Sequence, residues 1–197
     1  MRSKNTPLLL ETIKCENGTV HNLPYHQKRV DKSRKDLFGL EDKLELSSIL
    51  QAPKKGLYRC RVIYARTLVS IEYIPYIEKN IHTLKIISST IDYHYKYADR
   101  SKLDLLLQAN PDADEIIIEQ NGLITDTTIA NIAFYDGNKW LTPEKPLLEG
   151  TMRAKLIDEG FLHPKKILSS EIDQYQQVAL TNAMIGFKII NPTIIAP

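Results

Sequence analysis

Three Asx-Gly steps divide this chain: Asn17-Gly18, Asn121-Gly122 and Asp136-Gly137. Each stands between two short apolar segments, and Asn-Gly and Asp-Gly pairs favour the two-residue turns that close tight antiparallel hairpins. LLLETIKC therefore folds back on TVHNL, EIIIEQ on GLIT, and IANIAF on KWLTP. These steps commit much of the chain to local antiparallel pairing.

Between the hairpins the pattern changes period. PYHQKRVDKSRKDLF, from Pro24 to Phe38, places Val30, Leu37 and Phe38 on one side of an amphipathic helix, and LEDKLELSSIL adds a further helical turn or two. GLYRCRVIYA alternates as a strand, with Leu57, Arg59, Arg61 and Ile63 on one face and Tyr58, Cys60, Val62 and Tyr64 on the other. TLVSIEYIPYI and TLKIISSTI read as strands, and SKLDLLLQ as a helix stopped before Asn110-Pro111. GTMRAKLIDEGF reads as a helix entered at Gly150, SSEIDQY as a short helix, and VALTNAMIGFKII as one central buried strand. The expected organisation is α/β of the α+β kind, with a small subdomain over residues 1–82 and a second over 83–197.

Composition narrows the function classes. Hydrophobic residues make up 43% and charged residues 25%, an ordinary globular balance, and no apolar run approaches a membrane span. The start, MRSKNTPLLLETIK, has too short an apolar core for a secretory leader, so a cytoplasmic location is expected. The formal net charge of +2 is dispersed, and the densest basic stretch, HQKRVDKSRKD, is broken by two Asp residues. Neither nucleic-acid nor membrane binding is indicated. Cys15 and Cys60 form no CxxC or Cys/His cluster, so no zinc site or disulfide framework is indicated.

Several residues carry candidate chemistry. Lys96 lies between tyrosines in DYHYKYADR, and an apolar, aromatic setting lowers a lysine's pKa until its amine can form a Schiff base with a carbonyl. Alone, it reads as a solvated lysine at a helix entrance; the tyrosines on both sides and the arginine four residues on give the chemical reading. Asp126 precedes the small residues T-T-I-A-N; the plain reading is a turn residue, the chemical one a buried carboxylate holding a proton on a heterocyclic nitrogen. Gly150, Thr151 and Met152 open a helix, where backbone N–H groups and the helix dipole favour phosphate. Arg29 offers a guanidinium fork, and Thr181 and Asn182 interrupt an apolar segment with two polar side chains. Together they make up the set that a pyridoxal phosphate site requires.

The order of these motifs resembles the class IV (fold type IV) pyridoxal-phosphate enzymes: branched-chain aminotransferases, D-amino acid aminotransferases and 4-amino-4-deoxychorismate lyases. ETIKCENGTV, the H-x-x-R of YHQKRV, KYADR, ADEIIIEQNGLITDTTIANIAF, LTPEKPLLEGTMR and ALTNAMIG carry the resemblance over most of the chain. It implies a D-amino acid aminotransferase-like fold of two subdomains with the site between them, pyridoxal 5'-phosphate as cofactor, a small-molecule amino substrate and a homodimer. By position, Lys96 resembles the cofactor-linked lysine, with Lys102 as its rival, and Arg29 the phosphate-binding arginine. Asp126 falls where relatives have the glutamate facing the pyridine nitrogen. Thr151 and Met152 match the phosphate-holding pair after Gly150, and Thr181 with Asn182 a further phosphate contact. K-x-x-x-R and T-N-A-M resemble the lyase branch, which implies pyruvate elimination to 4-aminobenzoate. An aminotransferase and a non-catalytic cofactor-binding relative are the alternatives.

Overall fold

The computed structural model describes residues 6–196. Residues 1–5, the start of the segment inspected for a leader, and Pro197 lie outside the described residues. Among the described residues no helix is long and apolar enough to cross a membrane.

The chain divides into two compact units, Met1–Ile77 with Tyr95–Asp99, and Glu78–His94 with Arg100–Pro197. The sequence placed the division at 82/83 and gave Lys96 to the second part; here Tyr95–Asp99 belongs to the first unit. Backbone pairing explains the transfer. Leu10 N–H donates to the Lys96 carbonyl at 2.8 Å and Ala98 N–H to that of Leu8 at 2.8 Å, making an antiparallel bridge between Leu9 and Tyr97.

The first unit holds β1 (Leu9–Glu16), β2 (Thr19–Val20), α1 (Leu23–Phe38), α2 (Leu46–Ile49), β3 (Leu57–Tyr64) and β4 (Leu68–Pro75). Its sheet runs β2-β1-β3-β4 and is antiparallel throughout. Asn17 and Gly18 take φ of 48° and 84°, the doubly left-handed turn that Asn-Gly supplies. Leu9, Ile13, Cys15, Cys60, Val62 and Tyr64 form one buried face with Val30 of α1 and Leu46. The second helical stretch shrinks to four residues because Gln27 of α1 holds the chain ahead of it. Its amide donates to the Leu44 carbonyl at 3.0 Å and accepts the Leu46 N–H at 2.8 Å.

The second unit holds β5 (Thr83–Ser88), α3 (Ser101–Gln108), β6 (Glu115–Gln120), β7 (Leu123–Thr127), β8 (Asn131–Tyr135), β9 (Trp140–Pro143), α4 (Thr151–Asp158), β10 (Leu162–Lys165), a 3-10 helix (Ser169–Gln174), β11 (Gln177–Asn182), β12 (Gly186–Ile190) and β13 (Thr193–Ile195). Its nine-stranded sheet runs β10-β9-β8-β7-β6-β5-β13, and β11 joins β8 to β12. The strand expected over VALTNAMIGFKII is a hairpin: the Asn182 side-chain Oδ1 accepts the N–H groups of Met184 and Ile185, and Gly186 takes φ of 66°. An Asx turn reverses the chain there without an Asn-Gly signature. TTIA is likewise a tight loop between β7 and β8, and Asp126 lies inside β7 rather than ahead of a strand.

Alternation orients both faces of the sheet. Ile132, Phe134, Val178 and Leu180 join the main core, while Ala133 and Ala179 turn to the opposite face, where Leu156 and Ile157 of α4 pack against them. The small side chains let the helix sit close to the sheet. Its amino end therefore stands near the strand positions that continue that face.

Candidate active site

In the first unit a fully buried carboxylate organises the polar residues. Glu11 is on β1, on the same side of the pleat as Leu9, Ile13 and Cys15, and has no exposed surface. Arg29 of α1 forks onto it, Nε to Oε1 at 2.8 Å and Nη2 to Oε2 at 2.6 Å, and His26 Nδ1 donates to Oε2 at 2.5 Å. His26 and Arg29 are three apart in the helix and so share a face. Burial alone would raise the Glu11 pKa, but the Arg29 charge and the hydrogen bonds from His26 and Arg29 pull it down to about 2. Burial pushes His26 down, against the attraction of Glu11. The imidazole is therefore the neutral donor and Arg29 the cation of this trio.

Arg29 commits Nε and Nη2 to Glu11, so its placement is fixed by a charge-assisted fork. Lys96 is half-buried, close enough for its charge to act on His26, and paired in register with Leu10. Its rival Lys102 is exposed in the first turn of α3, in the other unit.

In the second unit three strands set polar side chains in a row. Asp126 of β7 pairs with Asn131 of β8, which pairs with Thr181 of β11, and directly opposed residues of antiparallel strands project to the same face. Asp126 Oδ1 accepts from Asn131 Nδ2 at 2.7 Å and Oδ2 from Leu148 N–H at 2.8 Å. Asn131 Nδ2 also donates to the Leu148 carbonyl at 2.8 Å. Burial pushes the Asp126 pKa up to about 7, outweighing the hydrogen bonds from Asn131 and the Leu148 and Leu147 N–H groups and the charge of Arg153, all of which pull it down. The carboxylate keeps a lone pair for another donor.

Gly150 meets this row at Asn131. A Cβ at Gly150 would lie 1.9 Å from Asn131 Oδ1, so the helix entrance approaches the amide more closely than any side chain permits. Thr151 and Met152 follow as the first two residues of α4, whose geometry leaves first-turn N–H groups pointing out of the helix. The Thr181 hydroxyl is buried with no hydrogen-bond partner among the described residues. Arg153, one turn in, is buried, donates Nη2 to the Pro143 carbonyl at 2.8 Å, and leaves Nε without a partner.

Asn182 has a different occupation from Thr181. Its oxygen caps the β11–β12 turn, and its Nδ2 donates to the Ile129 carbonyl at 3.2 Å, tying that turn to the TTIA loop. The loop is pinned from two further sides. Glu115 Oε1 accepts the Thr128 N–H at 3.1 Å and hydroxyl at 2.7 Å, and Arg100 Nη2 donates to the Thr128 carbonyl at 3.0 Å.

Glu11, His26, Asn131, Arg153 and Glu115 were given no role from the sequence. For Glu11 and Glu115 a signal existed: each is an acid on the apolar side of a strand's alternation, where an unpaired charge would be prohibitive.

The class IV aminotransferase family model matches residues 94–191. A solved structure from Haemophilus somnus 129pt, provisionally named a 4-amino-4-deoxychorismate lyase, is 38% identical and superposes with a TM-score of 0.82 over 91% of this chain and 97% of its own. An uncharacterized protein of Haemophilus influenzae is 36% identical over 184 residues, 90% of this chain and 98% of that protein. The pyridoxal-phosphate-bound form of a hypothetical aminotransferase from Mycobacterium tuberculosis has the same fold at a TM-score of 0.82, covering 98% of this chain and 82% of its own at 14% identity. The chain belongs to the class IV aminotransferases, a family of pyridoxal-phosphate-dependent enzymes.

Proposed function

We propose that this chain is a pyridoxal-phosphate-dependent lyase that removes pyruvate from 4-amino-4-deoxychorismate and leaves 4-aminobenzoate. The observation that carries the cofactor reading is Asp126: a carboxylate whose burial raises it to about 7, with only neutral groups bonded to it and a lone pair to spare. A protonated pyridine nitrogen supplies the missing charge and hydrogen bond. The phosphate fits the other end of the row, where the Thr181 hydroxyl lacks a partner and Gly150 leaves room for no side chain. There the first-turn N–H groups of Thr151 and Met152 and the positive end of α4 favour an anion.

When bound, the cofactor supplies an electron sink for the carbon that carries the substrate amine. Lys96 Nζ takes the proton from that carbon as general base. Asp126 keeps its proton partner at the ring nitrogen, and Asn131 and Leu148 N–H hold the carboxylate in place. As the C–H bond breaks, the ether C–O bond to the enolpyruvyl group breaks with it. The ring becomes aromatic, and the departing enolate takes up a proton, such as the one Lys96 removed, and so becomes pyruvate. Arg29, fixed by Glu11, serves the phosphate. Asn182 serves by holding the TTIA loop.

The choice of the lyase over an aminotransferase is supported by the Haemophilus somnus relative and by the KYADR and TNAM segments. A homodimer is part of the same proposal. Purified protein supplied with aminodeoxychorismate is expected to release pyruvate without any keto-acid acceptor. Strict dependence on 2-oxoglutarate, with branched-chain or D-amino acids as donors, overturns the lyase in favour of the transaminase. Cofactor-loaded protein with no absorbance band that Lys96→Ala removes overturns both.

A further inference from the structure

The first turn of α4 carries a charge that its surroundings oppose. Arg153 is the third residue of the helix, where the macrodipole disfavours a cation, and it is only 7% exposed. Arg29, Arg34, Arg61 and Arg100 each have a carboxylate partner, whereas Arg153 ion-pairs with none among the described residues. Its Nη2 donates to the Pro143 carbonyl at 2.8 Å, and its buried Nε has no acceptor. A buried guanidinium at the positive end of a helix is stable only where an anion answers its charge.

The neighbouring elements supply that anion. Arg153 and Asp126 grip opposite ends of one loop: Pro143 at its start accepts from Arg153, and the Leu147 and Leu148 N–H groups toward its end donate to Asp126. Asn131 joins the two, since its Nδ2 donates to Asp126 and to the Leu148 carbonyl while its Oδ1 lies against Gly150. A Cβ at Gly150 would meet the Arg153 Cβ at 3.8 Å. Across the sheet Asp126 faces the uncharged Ile118 of β6. Burial works against the Arg153 charge, and Asp126 supports it more than Glu149 does. Glu149 is exposed, so water screens it.

We infer that Arg153 is a positioning residue that acts on the ligand through Asp126, holding the carboxylate as the anion that keeps a proton on a ring nitrogen. The inference rests on the reading of Asp126 as the partner of that nitrogen and adds the residue that sets its charge. Coulomb attraction needs no contact, and in a buried site a unit charge several ångströms away shifts a carboxylate by about one to two pH units. Distance is what makes Arg153 suitable. A guanidinium fork laid directly on Asp126, as Arg29 lies on Glu11, would fill the lone pairs that a ligand needs.

Carboxyl-carbon NMR titration of the full chain without cofactor, with Asp126 assigned by its loss in Asp126→Asn, tests the charge. In Arg153→Met, Asp126 is expected to titrate at least about one pH unit higher than in wild type. Arg153→Gln, which can still donate to Pro143, gives the same reading if the Met variant does not fold. Arg153→Lys keeps the charge and is expected to stay within about half a unit of wild type. Absorbance titration with pyridoxal phosphate tests the consequence. Because the ligand takes the ionised carboxylate, Arg153→Met is expected to bind it about fivefold more weakly at pH 7 and to match wild type by about pH 9. An Asp126 that titrates at the wild-type pH in the Met and Gln variants overturns the inference. So does loss of inorganic phosphate binding at every pH with Asp126 unmoved, which makes Arg153 a ligand of the anion itself. A shifted Asp126 in a chain whose wild type binds no pyridoxal phosphate keeps the coupling of the two charges and removes the cofactor reading.

Discussion

Glu11 in the first unit and Asp126 in the second are both buried carboxylates, 0% and 3% exposed, and their acidities lie on opposite sides of the usual range. Glu11 is pulled to about 2 and Asp126 raised to about 7. Burial penalises both charges, so the difference comes from the donors. Glu11 has a guanidinium fork and an imidazole; Asp126 has an amide and two backbone N–H groups. One charge is neutralised by a cation bonded directly to it, and the other is met only by neutral donors. The first is a strut that fixes α1 against β1, and the second is, in the proposed function, a binding group, although both are equally hidden from water.

The largest expected effect comes from breaking the strut. Arg29→Met leaves Glu11 buried without its cation and is expected to cost about 3–5 kcal/mol at pH 7, measured by urea unfolding. Because the folded pKa of Glu11 is depressed, its contribution is present above about pH 4.5 and is lost as pH falls from there to about 2. In Arg29→Met that acid-side loss is expected to shrink.

Asp126 has the opposite sign. Its folded pKa is raised from 3.8 to about 7, so between those values the folded state holds a proton that the unfolded state has released. Without cofactor, stability is expected to fall as pH rises through this window, by an amount on the order of 3–4 kcal/mol, and to level off above it. Asp126→Asn is expected to flatten that slope in urea titrations across the window, and an unchanged slope would remove Asp126 from the comparison.

Gly150→Ala forces a methyl group into Asn131 and is expected to cost about 1–3 kcal/mol while weakening pyridoxal phosphate binding, as followed by absorbance titration. Thr181→Val should have the smallest effect on the ligand-free protein. The hydroxyl has no partner to lose, so its melting temperature should hold or rise slightly, while phosphate affinity falls.

The elements were readable where the signal was local. Asn17-Gly18 and Asn121-Gly122 close their hairpins with two left-handed residues, and Asp136-Gly137 closes its hairpin through a longer loop in which the Asp136 side chain accepts the Asn138 and Lys139 N–H groups. The β11–β12 reversal was not readable from the apolar run, because Asn182 makes its turn with a side chain and the flanking residues keep the hydrophobicity of a buried strand. Among candidate site residues, Asp126, Gly150 and Thr181 come together through strand register and one close approach, both of which follow from pairing rather than from spacing along the chain. Lys96 was assigned to the wrong part of the chain for the same reason: two backbone bonds to β1 decide its place, and no residue type announces them. The Glu11 trio was legible only in outline. ETIK and H-x-x-R are visible, but that the acid faces inward and meets the arginine depends on the sheet's pleat.

The most direct test of the contrast between the two carboxylates is a carboxyl-carbon NMR titration of Asp126, assigned by its loss in Asp126→Asn, with and without pyridoxal phosphate. Without the cofactor the group should titrate near pH 7, far above Glu11. With the cofactor bound it should move well down, as a protonated ring nitrogen supplies the missing cation. An Asp126 that titrates at the same pH in both states would contradict its role as the carboxylate the chain leaves for its ligand.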